Sequence, residues 1–226
     1  MNADPTAIRV FQQLLGHAEP FRHTELVNAL LAAARATKWR RNQPCRSIAE
    51  GDRIGCVLSG TVRKYAIRFN GQRQIVDLLM PGDFIGLVPL DPDFSVEAVC
   101  DGTLIAIFSP DALAALLAEH AAIADLIRDR TADAIRRLES HLLVQGRMTA
   151  SEKVGAYLVE MGSTNAPRSS RGALVLPISR YDIADHLGLA VETVSRAMTA
   201  LKQRGLIALR SPRHVEINDA GELIDG

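Results

Sequence analysis

The chain has 226 residues, and its 26 lysines and arginines balance 26 aspartates and glutamates, so the formal net charge is zero and the pI is near 7.0. With 47% apolar residues it can bury real cores, and its length suits two small domains better than one large one. The whole-chain charge carries no argument for a nucleic-acid partner, and three scattered cysteines outside any CxxC spacing argue against a disulfide framework or a structural zinc site.

Residues 5–36 are rich in Ala, Leu and Gln, with apolar residues at helical spacing (Val10 and Leu14, then Leu26, Leu30 and Ala33), which predicts one or two short helices. No basic segment followed by an apolar run opens the chain, and no stretch of about eighteen uncharged apolar residues occurs anywhere, so neither export nor a membrane span is expected and a cytoplasmic protein is. After Lys38 a polar break gives way to short apolar runs. These are punctuated by Gly51, Gly60, Asn70-Gly71, Pro81-Gly82-Asp83 and Asp101-Gly102, roughly every ten residues, the rhythm of strands in a sandwich or barrel. Asn70-Gly71 is the sharpest turn signal and predicts a two-residue type I′ hairpin between strands at 62–67 and 74–79.

The strand texture closes at residues 103–108. Ser109-Pro110-Asp111 then has the cap, the proline and the acid of a helix start. A long helical pattern follows, in which Ile123, Ile127, Ala134, Leu138, Leu142 and Gln145 trace one stripe while Arg128, Asp129, Arg136, Arg137 and Glu139 charge the other faces. Such a stripe needs a partner: either its own domain or the same helix of a second subunit, and its length favours the dimer. Gly146 is read as its end. Thr149 with Glu152 caps the next helix, whose Val154, Tyr157, Leu158 and Met161 point inward. The interdomain linker is placed at 145–148, and 162–172 is read as a polar loop.

Residues 174–178 suggest a short strand, and 179–203 a helix, a tight turn and a second helix. Ser179 and Asp182 form a capping box, Ile183, Ala184 and Leu187 give the first helix an apolar face, and Gly188 ends it. In the second helix Val194, Met198 and Leu201 point inward and leave Glu192, Ser195 and Arg196 facing outward. A hairpin at 206–217 completes a winged helix-turn-helix, a module whose second helix enters the DNA major groove. The charge agrees locally: between Arg147 and Arg213 there are ten basic residues against five acidic ones.

At this point the order of parts resembles the Crp/Fnr family of bacterial transcription regulators over nearly the whole chain. VLSGTV at 57–62 and PGDFIG at 81–86 resemble the family's cyclic-nucleotide-binding β-roll, and DIADHLGLAVETVSR at 182–196 resembles its helix-turn-helix. The resemblance implies an α+β fold: N-terminal helices and a jelly-roll sensor-like domain at 1–115, a dimerisation helix at 116–146 and a winged-helix DNA-binding domain at 147–226. Cyclic-nucleotide binders of the family follow the PGDFIG motif with a helix turn and an Arg-Ser or Arg-Thr pair. Here LVPLDPDFSVEAV at 87–99 has no arginine and brings Asp91, Asp93 and Glu97, so no cAMP binding is expected.

The oxygen-sensing branch holds a 4Fe-4S cluster through four thiolates. Only Cys45, Cys56 and Cys100 exist here, and Cys100 reads as a buried, inert strand residue. The histidines His17, His23, His120, His141, His186 and His214 leave haem ligation open, although a lone histidine is more often a surface or core residue. No cofactor, metal or catalytic residue is assigned, and no nucleophile-base-acid set suggests an enzyme.

Residues 191–196, VETVSR, match the E-x-x-S-R recognition pattern of the Fnr and FixK branches, with Val191 where the Crp branch has an arginine. The resemblance thus implies base contacts from Val191, Glu192, Ser195 and Arg196 to half-sites of the type TTGA(T/C) in an inverted repeat, with RNA polymerase as a further partner. Arg196 suits guanine O6 and N7, and Glu192 suits an exocyclic amine. Phosphate contacts are expected from Arg180, Thr193, Thr149, Arg168 and Arg213, with Arg180 equally readable as a solvent-facing helix residue. Asp185 and His186 are read as solvated or local caps. Ile123, Ile127, Ala134, Leu138 and Leu142 are the expected homodimer interface. The expected protein is a FixK-like activator; the alternative is a relative whose DNA binding is switched by haem, redox state or a metabolite in the β-roll.

Overall fold

The structure, a computed structural model, describes residues 4–16, 20–163 and 173–225. The chain divides into two compact units, one formed by residues 1–66 with 78–136 and the other by 67–77 with 137–226.

In the first unit, α1 (Pro5–Leu14) starts where the Asp4 side chain accepts the amide hydrogen of Thr6 at 2.8 Å, and α2 (Pro20–Ala33) follows. The strands are β1 (Arg35–Trp39), β2 (Ile54–Ser59), β3 (Val62–Ile67), β4 (Arg73–Leu79, whose residues 73–77 belong to the second unit), β5 (Phe84–Ile85), β6 (Phe94–Ala98) and β7 (Thr103–Phe108), with the one-turn α3 (Arg46–Ala49) before β2. Strands β1, β7, β2 and β5 form one antiparallel sheet in that order, and a second sheet pairs β3 with β6 antiparallel.

The four-stranded sheet explains why two of its strands read as continuous apolar runs. Cys56 and Leu58 of β2, with Leu104, Ala106 and Phe108 of β7, turn toward Val10, Phe11, Leu26 and Leu30 of the helices. Val57 and Ile105 turn the other way, toward Val62, Val96 and Ala98 of the second sheet and Trp39 and Ile48. A strand covered on both faces shows no alternation. Phe11 and Phe108 pack with ring centroids 6.4 Å apart, inside a core that also holds Leu113, Leu116, Ile123 and Leu126.

Several expectations change here. β1 begins at Arg35, inside what reads as helix and polar break; among the described residues its only sheet neighbour is β7, and an edge strand with Arg35, Ala36 and Lys38 exposed carries little apolar signal. The long helical run after Ser109 is two helices, α4 (Pro110–Glu119) and α5 (Ala121–Arg147). His120 between them is extended (φ −128, ψ 93), and its carbonyl accepts from Ile123 and Ala124 to start the second. Gly146 lies inside the last turn of α5 rather than ending it. Cys100 is half-buried in a bend after β6, not buried in a strand, and contacts the Thr103 hydroxyl at 3.4 Å.

The second unit contains α6 (Ala150–Ser163), β8 (Leu174–Val175), α7 (Arg180–Leu187), α8 (Val191–Gln203), β9 (Ile207–Leu209), β10 (His214–Ile217) and the short α9 (Glu222–Asp225), with a sheet in the order β8-β10-β9. Thr149 and Glu152 cap α6 reciprocally, at 2.5 and 3.3 Å. Val154, Tyr157, Leu158 and Met161 are all buried, as their spacing predicts, together with Ile183, Leu187, Val194, Met198, Leu201, Val215 and Leu223.

The segment 67–77 of this unit carries the Asn70-Gly71 turn. Only Gly71 has a positive φ (80), the Gly71 amide donates to the Arg68 carbonyl at 2.8 Å, and the Arg68 amide donates to Gln72 at 2.8 Å. The turn is therefore a three-residue loop, a tight turn closed by one left-handed glycine, and not the two-residue type I′ form. Asn70 contributes through its side chain instead, accepting the Gln72 amide hydrogen at 3.0 Å.

Candidate nucleic-acid interface

Two short helices meet at a fixed angle only if the turn between them is fixed. Ser179 Oγ accepts the Asp182 amide hydrogen at 3.2 Å, while the Asp182 carboxylate accepts from the Ser179 amide at 3.2 Å and from its hydroxyl at 2.7 Å. At the other end Gly188 adopts a left-handed conformation (φ 65, ψ 37) that a side chain would strain, and its amide caps the Ala184 carbonyl. Ala190 then opens α8, which buries Val194, Ala197, Met198 and Leu201.

The opposite face of α8 presents Glu192, Ser195, Arg196, Thr199, Lys202 and Gln203, all exposed and spaced by three or four residues or adjacent. Among the described residues Glu192 and Arg196 make no hydrogen bond or ion pair, so both heads are free for a partner. Ser195 Oγ donates to the Val191 carbonyl at 3.0 Å, which leaves its oxygen lone pairs as the outward function. Val191 is half-buried at the first turn, and Thr193 is half-buried beside it. Thr199 and Lys202 were not singled out from the sequence, although continuing the 192–195–196 spacing by one turn finds them.

The expected phosphate contacts separate. Arg213 is exposed at the tip of the wing, where Ser211 Oγ accepts its amide hydrogen at 3.3 Å and meets His214 Nδ1 at 2.7 Å. Thr149 is exposed, but its hydroxyl is committed to the α6 cap. Arg168 lies outside the described residues. Arg180 is not the solvent-facing residue of one reading: it is half-buried, its Nη1 is enclosed with no hydrogen-bond partner among the described residues, and burial lowers its pKa.

Asp185 and His186 depart furthest from the solvated role expected of them. His186 is 4% exposed, stacks on His141 with ring centroids 4.2 Å apart and faces the Tyr157 ring edge-on at 6.0 Å. Burial, and then neighbouring His141, push its pKa down to about 3 against a bond to the Ile75 carbonyl. Asp185 is ion-paired to Arg73 at 2.7 Å.

On α5, Ile123 belongs to the first unit's own core at 0% exposure and is not an outer face, which corrects its place in the expected interface. Ile127 and Ala134 are half-buried. The outward apolar line is instead Ile135, Leu138 and Leu142, with Leu143 beside it, at 52%, 40%, 71% and 75% exposure. Ion pairs between residues three apart, Arg128–Asp125 at 2.8 Å and Arg130–Asp133 at 2.9 Å, flank it.

In the first unit no helix turn separates β5 from β6. Asp91 and Asp93 are exposed or nearly so, but Glu97 is not an uncompensated acid: Arg63, 5% exposed, donates to it from Nε at 2.7 Å and to Asn42 at 2.8 Å. Cys45 and Cys56 are buried, which raises their thiol pKa far above the ordinary range. Among the described residues no group of three or more potential ligands converges as a metal site, and no helix is long and apolar enough to cross a membrane.

Known proteins share these parts in this order. A family described as Crp-like helix-turn-helix domain matches residues 152–225, and one described as cyclic nucleotide-binding domain matches residues 45–120. The nitrogen fixation regulation protein FixK of Rhizobium meliloti is 39% identical over 181 residues, covering 77% of this chain and 80% of its own. The transcriptional activator protein FnrL of Cereibacter sphaeroides is 32% identical over 180 residues, 77% of this chain and 72% of its own. The solved structure of FixK2 from Bradyrhizobium japonicum superposes with a TM-score of 0.74 at 30% identity, covering 85% of this chain and 96% of that one. With a relative at this identity over this span, and with both modules in place, the chain belongs to the Crp/Fnr family in its FixK-like branch, and is a DNA-binding transcription regulator rather than an enzyme.

Proposed function

We propose that the protein is a cytoplasmic homodimeric activator that reads an inverted repeat of TTGA(T/C) half-sites, TTGAT and ATCAA separated by four base pairs, and recruits RNA polymerase. The observation that carries this reading is the outer face of α8, where Glu192, Ser195 and Arg196 stand exposed in the E-x-x-S-R register with Val191 in place of an arginine. Arg196 then gives a two-pronged contact to guanine, Glu192 accepts from an exocyclic amine, and Val191 meets a thymine methyl. Arg213 on the wing, with Arg180 and Thr193, contacts phosphates, which position the reader without specifying sequence.

Dimerisation through the Ile135, Leu138 and Leu142 line of α5 supplies the two-fold symmetry, and two reading helices about one DNA turn apart match an inverted repeat. In functional terms the sensor-like domain is 1–115, the dimerisation helix 116–146 and the DNA-binding domain 147–226. The β-roll acts as a structural support for the dimer, a role that fits the buried Arg63–Glu97 pair and the acids at 91 and 93. Relatives named as regulators of nitrogen fixation and as transcriptional activators support the direction of the effect.

A selection of DNA sequences bound by the purified protein, run with and without oxygen, tests this reading. Recovery of TTGA-type inverted repeats under both conditions is expected. A different half-site, or a lone half-site, overturns the specificity; a site recovered only under one condition, or a coloured protein, favours the ligand-switched alternative.

A further inference from the structure

The first helix of the reading head is held by more than its own caps. α7 has eight residues, too few to be stable alone, and the carbonyls of its last turn need donors from elsewhere. Gln74 Nε2 donates to the Asp185 carbonyl at 2.8 Å and to the His186 carbonyl at 3.2 Å, and Gln145 Nε2 donates to the same His186 carbonyl at 2.6 Å. Near the other end, Arg73 Nη2 lies 2.6 Å from Asp182 Oδ1 and 2.7 Å from Asp185 Oδ2, and its Nε donates to the latter at 2.8 Å. Asp182 is the same carboxylate that closes the capping box with Ser179.

We infer that Arg73 is a positioning residue for DNA binding: from the hairpin segment 67–77 it clamps both acidic side chains of α7, fixing the helix against which α8 packs and offsetting one of the two negative charges beside the proposed DNA-facing surface. The inference rests on the proposed use of α8 as the reading helix. Its geometry is that of a clamp, since one planar guanidinium reaches two carboxylates one helical turn apart through Nε and Nη2 together, a fixed fork that a point-like ammonium does not reproduce. Asp182 is 5% and Asp185 32% exposed at the side chain, so removing the arginine takes the clamping cation from one buried and one half-buried acid. Those acids then repel phosphates of any sequence. Loss of Arg73 therefore lowers affinity without changing base preference, the opposite signature from loss of a base-reading residue.

The test titrates the full-length protein and its Arg73→Gln, Asp185→Asn and double variants against the inverted repeat and a scrambled duplex of equal length, with thermal melts alongside. Arg73→Gln is expected to weaken both duplexes on the order of tenfold while preserving the ratio between them, and Asp185→Asn in the same chain to recover most of that loss. Wild-type affinity in Arg73→Gln, a changed ratio, or a double variant no better than the single one overturns the clamp. Should Arg73→Gln not fold, Arg73→Lys takes its place with a loss of about threefold expected, and wild-type affinity there overturns the clamp equally. A wild-type protein that binds neither duplex discards the reading of α8, whereas wild-type binding with an unaffected variant discards only the role of Arg73.

Discussion

Arg196 and Glu160 show how differently a charged side chain is used depending on what surrounds it. Arg196 stands exposed and unpaired among the described residues, which suits the base-reading role proposed for it. Arg196→Ala is predicted to cost about 1–3 kcal/mol of binding to the repeat and to flatten the preference at the guanine of the half-site, as measured by competition with guanine-substituted duplexes. Glu160 is the reverse: half-buried on α6, its carboxyl is pushed up to about 7 by burial and then by Asp77, with partial relief from Arg137. An acid whose pKa is raised on folding favours the folded state at low pH and loses that contribution as pH rises from its unfolded value of 4.5 to about 7. Glu160→Gln should therefore match the wild type near about pH 4 and exceed it by about 1–3 kcal/mol near about pH 8, read by urea unfolding. His186, with its pKa depressed, works in the other direction, its contribution lost as pH falls from 6.5 toward about 3. It is present in both proteins and cancels in the comparison.

Among the elements, α5 and α7 mark what local pattern conveys. Capping boxes, Gly188 and the spacing of Val194, Met198 and Leu201 make the helix-turn-helix legible, because each is a contact within a few residues. The partners of α7 are not legible in the same way. Arg73 and Asp182 are 109 residues apart, so neither the clamp nor the burial of His186 leaves a periodic trace. The stripe on α5 is half legible: spacing identifies an apolar side but cannot say which segment the chain itself covers, and so groups the interior Ile123 with the outward Leu142. That division is testable. Leu142→Glu should leave the fold intact, sediment as a monomer and weaken binding to the repeat on the order of a hundredfold through lost avidity. Ile123→Ala should destabilise by about 2–5 kcal/mol and remain dimeric. A monomeric Ile123→Ala beside a dimeric Leu142→Glu would reverse the assignment.

At the scale of the molecule, the two family modules lie on a chain with no net charge, and the local excess of basic residues between 147 and 213 is what suits it to DNA. The β-roll was legible in its turns and in β2 and β7, less so in β1, whose polar edge carries no apolar pattern. The absence of an arginine from 87–99 is visible in the sequence, whereas the Arg63–Glu97 pair, joined across 34 residues, is not. The central claim is that two α8 helices of a dimer read one inverted repeat. Its most direct test is sedimentation of the purified protein with duplexes carrying the full TTGAT repeat, one half-site alone, or a scrambled sequence. The full repeat should bind two protomers as a single species and at least about a hundredfold tighter than one half-site; a single bound protomer, or equal affinity for the repeat and the scrambled duplex, would contradict it.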